Sequence, residues 1–107
     1  MKVGMTKVTV LYPNSEGKHF DINYYVNKHV PMVSNLLGDA LKYAEIEEGI
    51  GTAEPGADAP YAAIGCIYFN SVEDFQTSFG ANAEQIMGDI PNYTNIEPII
   101  QISEVKL

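Results

Sequence analysis

Basic residues are scarce in this chain. Lysine plus arginine number 6 against 14 aspartates and glutamates, for a net charge of -8. Nucleic acids and anionic membranes select basic surfaces, so neither is an expected partner. Cysteine is scarcer still, with Cys66 alone. A lone thiol excludes an internal disulfide and a Cys-pair zinc site, and suits a reducing, cytoplasmic compartment. No apolar run approaches the roughly 18 residues that span a bilayer. The first residues, Met1-Lys2-Val3-Gly4-Met5-Thr6-Lys7, are too polar for the apolar region of a signal peptide. Also missing are a Gly-rich phosphate loop and a G-x-S-x-G elbow. Asn92-Tyr93-Thr94 fits the glycosylation sequon, but without a secretion signal it reads as coincidence.

What remains is an ordinary globular composition, 46% hydrophobic and 10% aromatic over 107 residues. That length makes one domain, 1–107, able to bury a core without disulfides. Residues 3–12 are rich in β-branched side chains and read as a strand. Pro13 to Gly17 is a turn. Asp21 is placed to cap a helix that runs to Leu37, where Gly38 stops it. Pro31 disfavours the α conformation at Val30, which predicts a kink just after His29. Residues 41–50 read as a strand and 51–60 as a loop. The near-continuous apolar run 61–69 suits a central strand, in which Cys66 is a buried, inert thiol with no evident cationic neighbour. Ser71 caps a second helix ending at Gly80; Asn82 to Met87 adds a turn or two, and 88–92 is a turn. Residues 95–107 form the last strand, with Pro98 near its start.

The order β-α-β-β-α-β is the ferredoxin-like arrangement: an α+β fold with one four-stranded antiparallel sheet and helices on one face. The strands are nevertheless apolar on both sides. Tyr61, Ala63, Ile67 and Phe69 alternate with Ala62, Ile64, Cys66 and Tyr68. An uncovered apolar face predicts a two-fold homodimer with sheets face to face.

Chemistry concentrates between Tyr12 and Pro31. Tyr25, His29 and Val33 are four apart and share one helical face, so His29 points inward, toward core or cavity. An imidazole, with an ordinary pKa near ~6.5, can act as general base or acid near neutrality. Tyr25, with Tyr12 or Tyr61, could donate to a developing oxyanion. Tyr24, Asn92 and Gln101 are further polar candidates for binding a substrate. His19, ten residues from His29 and beside Lys18 in a polar turn, reads as exposed, and no metal site is expected.

Tyr12-Pro13, Phe20-Asp21, Tyr24-Tyr25, His29 and Pro31 together resemble the EthD family of dimeric α+β barrel proteins. So do Pro60-Tyr61-Ala62-Ala63-Ile64, Phe69-Asn70-Ser71 with Phe75, and Asp89-Ile90-Pro91-Asn92-Tyr93-Thr94-Asn95 with Glu97-Pro98. The resemblance implies the ferredoxin-like fold and a homodimeric barrel. It maps the family's histidine onto His29 and its preceding tyrosines onto Tyr24 and Tyr25. Family members are associated with ether degradation, and fungal relatives look like tailoring enzymes of aromatic polyketides. The barrel's wider relatives include cofactor-free monooxygenases, a lactone isomerase and haem enzymes, so fold alone does not name a reaction. The expectation is a cofactor-independent enzyme (an oxygenase, isomerase or lyase) acting on a small apolar or aromatic molecule, with His29 and Tyr25 catalytic. A non-catalytic binding or accessory protein is the second reading. Haem held by His29 is the third.

Overall fold

The computed structural model describes residues 3–107. β1 (Thr6–Pro13) sends Thr6, Val8, Val10 and Tyr12 to one face, following the period of two that any strand has. It starts later than the β-branched pattern predicts, because Gly4 turns the chain through a left-handed conformation at φ 91°. A helical rod follows in three parts: α1 (Ile22–Tyr24), a π-helical turn (Tyr25–His29) and α2 (Val30–Leu37). The Asp21 carboxylate accepts from the Tyr24 N–H at 3.1 Å, the expected cap. Gly38, at φ 60°, ends the rod.

β2 (Tyr43–Glu48) and β3 (Tyr61–Phe69) come next, joined by the loop the Gly/Pro pattern predicts. α3 (Val72–Gly80) is capped by Ser71, whose hydroxyl accepts from the Asp74 N–H. α4 (Ala83–Gly88) and a 3-10 turn (Ile90–Asn92) lead toward β4 (Ile99–Glu104). β4 is shorter than the predicted 95–107. Pro98 lacks the N–H a ladder needs, and the residues before it are held elsewhere. Thr94 bridges Phe20, and its hydroxyl donates to the His19 carbonyl while accepting from the Ile96 N–H.

The sheet order is β2-β3-β1-β4, all antiparallel, with β3 and β1 at the centre. This is the expected α+β, ferredoxin-like architecture. Pairing and alternation settle which strand face meets the helices. Val8 opposite Ile67, and Tyr12 opposite Ala63, point inward. One apolar cluster gathers Val8, Leu37, Phe69, Phe75 and Ile86; a second gathers Tyr12, Tyr25, Ala63, Tyr93 and Ile96. The outward face carries Leu11, Ile64, Tyr68 and Ile99, mixed with Lys7, Glu45, Glu47 and Gln101.

One local expectation needs correction. The rod does not kink behind His29; it widens ahead of it. The Val30 N–H bonds the Tyr25 carbonyl, five residues back, and Val30 keeps ordinary helical angles of φ -62° and ψ -43°. Pro31 has no N–H for the ladder, and its ring crowds the preceding turn. A wider turn upstream accommodates both without breaking the rod.

Candidate active site

The π turn brings two side chains of one rod into the interior together. Tyr25 and His29 are both buried, their rings stacked with centroids 5.6 Å apart and planes 15° apart. Tyr93, from the segment after α4, leans on both, with its centroid 4.7 Å from the imidazole. As their four-residue spacing predicts, Tyr25, His29 and Val33 all line one cleft between the helices and the sheet. The rest of the lining is mostly apolar, including Val10, Ile46, Ile67 and Ile100. Its volume is about 80 Å³, where one water needs roughly 10–15 Å³ on the same measure. A small molecule fits; a polymer does not.

Asp89 holds the imidazole in place. Its Oδ2 lies 2.9 Å from His29 Nδ1, across 60 residues of sequence. Its Oδ1 accepts from the Tyr24 hydroxyl at 2.8 Å and from Asn92 Nδ2 at 2.8 Å. Partial burial pushes the Asp89 carboxyl up, but hydrogen bonds from Asn92, His29 and Tyr24 outweigh it, so it sits below the usual value and stays ionised at neutral pH. An ionised carboxylate only accepts. Nδ1 must therefore carry the proton, and Nε2 is the free nitrogen of the neutral ring. Among the described residues no protein partner meets Nε2, and no fully buried side-chain polar atom goes unpartnered. Nε2 is thus not fully buried, on a side chain that lines the cleft.

The tyrosines form the other polar group. The hydroxyls of Tyr12 and Tyr93 share a hydrogen bond of 2.7 Å, and Tyr12 also lies beside the hydroxyl of Tyr25. Burial raises all three well above the ordinary phenol value, so they stay neutral and can donate. Phe20 packs edge-on against Tyr12, Tyr25 and Tyr93, fixing the rings.

With the site in view, comparison with known proteins is decisive at the family level. The EthD domain model matches residues 17–97. The chain belongs to the EthD family. An EthD-like protein from Ralstonia eutropha JMP134 is 41% identical, with a TM-score of 0.93 over 98% of this chain and 95% of that one. Two remoter structures share the fold. A dimeric ferredoxin-like protein of unknown function from Thermobifida fusca is 10% identical, with a TM-score of 0.58 over 94% of this chain and 91% of that one. A monooxygenase from Streptomyces coelicolor, in complex with nanaomycin D, is 9% identical, with a TM-score of 0.60 over 99% and 90%. No curated protein matches significantly.

In this EthD chain the structure brings some of the sequence candidates together and leaves others apart. Tyr12, Tyr25 and His29 line the cleft. Tyr24 and Asn92 reach Asp89 instead, and touch the imidazole only through it. Tyr61 lies in a separate, polar depression with Asn14 and Asp58, because β3 starts there, past the β-bulge at Tyr12 and Pro13. Gln101 pairs opposite Thr9 on the outward face, exposed, and donates to Ser103. Strand alternation alone keeps it from the cleft. Sequence reasoning missed Asp89 and Tyr93. Their only signal was the Asp89-Ile90-Pro91-Asn92-Tyr93 segment, a Pro-containing turn that carries an acid and an aromatic.

No group of three or more His, Cys, Asp or Glu side chains among the described residues could hold a metal ion. No helix among them is long and apolar enough to cross a membrane. Cys66 is buried as expected, but Lys7 lies close to it, contrary to the sequence reading. Burial nonetheless wins and pushes the thiol above its ordinary value.

Proposed function

We propose that this EthD-family protein is a cofactor-independent enzyme that moves a proton on a small apolar or aromatic molecule. The supporting observation is the His29–Asp89 pair at 2.9 Å, set against an apolar cleft. In this reading Nε2 takes a proton from the ligand, and Asp89 stabilises the imidazolium that forms. Tyr25, backed by Tyr12, donates to the ligand oxygen on which negative charge grows. Tyr24 and Asn92 orient the base through Asp89. Aromatic hydroxy-ketones and lactones are the ligand class to try, in keeping with the nanaomycin D carried by the S. coelicolor monooxygenase.

The reading includes a homodimer joined through the outward sheet face, where Ile99 is 52% exposed and Leu11, Ile64 and Tyr68 are half-buried. The dimeric T. fusca protein of the same fold agrees with it. A lone buried thiol suits a reducing, cytoplasmic setting.

The test is His29→Gln against wild type on a panel of such ketones and lactones. The variant keeps volume and some hydrogen bonding but cannot shuttle a proton near neutrality. The expected loss in kcat is roughly two to four orders of magnitude. An equally active variant would remove the acid-base role. A second reading, non-catalytic binding, draws on the mostly apolar lining of the cleft. It predicts that mass spectrometry finds a co-purified ligand while no panel member is turned over.

A further inference from the structure

Gly65 lies in the middle of β3, where glycine weakens a strand and gives neighbours nothing to pack on. Its backbone does not call for glycine: the left-handed glycines among the described residues are Gly4, Gly17, Gly38 and Gly56. The need is one of space. A Cβ built on Gly65 would lie 2.4 Å from the Tyr25 hydroxyl oxygen. It would lie 3.6 Å from Tyr25 Cζ and 3.6 Å from Ile46 Cδ1, both ordinary contacts. Only the hydroxyl is in the way. Phenylalanine at 25 with alanine at 65 would keep the ring, fill the strand better and pack without a clash. Tyrosine with glycine makes sense only if the hydroxyl itself has a use.

Within the protein this hydroxyl bonds the Tyr12 hydroxyl, which is itself shared with Tyr93 at 2.7 Å. Phenols in a row can each donate to the next, Tyr93 to Tyr12 and Tyr12 to Tyr25, which leaves the Tyr25 proton for a ligand oxygen. Gly65, Tyr25 and His29 line the same cleft, and the imidazole stacks on the ring that bears the hydroxyl. A ligand oxygen received there would sit beside the ring of the base.

We propose that Gly65 is a positioning residue, making room in the cleft floor for the Tyr25 hydroxyl to donate to an acceptor oxygen of a small aromatic ligand. The inference rests on reading the cleft as a ligand site, but it does not require that the site be catalytic.

Four proteins test it: wild type, Tyr25→Phe, Gly65→Ala and the double variant. Each is melted, and each is titrated with 4-nitrophenol, a small aromatic whose oxygen is a hydroxyl or an oxyanion and whose absorbance reports binding. Gly65→Ala should melt about 5–15 °C lower, as overpacking does in a small domain. Gly65→Ala and Tyr25→Phe should each weaken probe binding roughly tenfold or more. The double variant should melt at or above Tyr25→Phe, yet bind the probe no better. That split separates a positioning role from a merely structural one. The proposal is overturned if Gly65→Ala melts and binds like wild type, if the double variant regains wild-type binding, or if millimolar probe shows no saturable binding to wild type. Failure of catalysis is read separately, from turnover by His29→Gln.

Discussion

At the scale of single residues, the site depends on one carboxylate that makes three hydrogen bonds. Because the Asp89 carboxyl is held below its ordinary value of 3.8, its ionised form is favoured in the folded protein. The sign of the linkage follows. Its contribution to stability is complete above the unfolded pKa and is lost as pH falls through the lowered folded value. Wild type should therefore melt higher than Asp89→Asn at pH 6, and the gap should close as pH drops below about 4. A gap that stays constant through that range in a series of thermal melts would show that the charge of Asp89 contributes nothing. Asp89→Asn should also lower any turnover, because an amide can donate to Nδ1 and so favour the wrong tautomer of His29. His29→Ala distinguishes a base from a packing residue. Because the imidazole is buried and bonded to Asp89, either role predicts a stability loss of about 1–3 kcal/mol in thermal melts. Only a base also predicts that turnover is lost at temperatures where the variant is still folded.

Among the elements, the helical rod matters most, since it carries Tyr25 and His29 on one interior face. Its first turn hangs on the Asp21 cap, exposed and outside the cleft. Asp21→Ala should cost about 0.5–2 kcal/mol, whereas Asp21→Asn, an equally good cap, should be nearly neutral. Melts of the two variants check this, and neither should change the pH profile of turnover. The rod was largely legible from sequence: its cap, its stop at Gly38 and its buried face all follow from local residue chemistry. The π turn was not. Proline chemistry predicts a disturbance near Pro31 but not its side, and the packing of Tyr25 and His29 under Tyr93 favours the widened turn. The late start of β4, at Ile99 and not at residue 95, has a similar origin, since it turns on which backbone groups find partners across the sheet.

For the whole molecule, the sheet has one face under helices and one face bare. If the bare face joins two copies, Ile64→Glu should dissociate them, because it would bury an unpaired charge. Light scattering at micromolar concentration should give a dimer for wild type and a monomer for the variant. A wild-type monomer would remove the barrel reading. Cys66 lies on this same face, buried within the monomer itself. It should resist thiol reagents until denaturant is added, because burial overrides the nearby Lys7. Rapid labelling of the native protein would mean that Lys7 prevails.

By itself the sequence determined the element order, the caps, the central strand 61–69, the inward face of His29 and the EthD family. All of these are carried by residues near one another in the chain, through turn chemistry and by the periods of helix and strand. Tertiary structure alone decided what His29 touches. Asp89 stands 60 residues away, and no periodicity links a helix to a turn that far along the chain. It likewise decided that Gln101 lies outside the cleft and that Gly65 lies under a tyrosine hydroxyl, because sheet register, unlike strand identity, is set by pairing between distant segments.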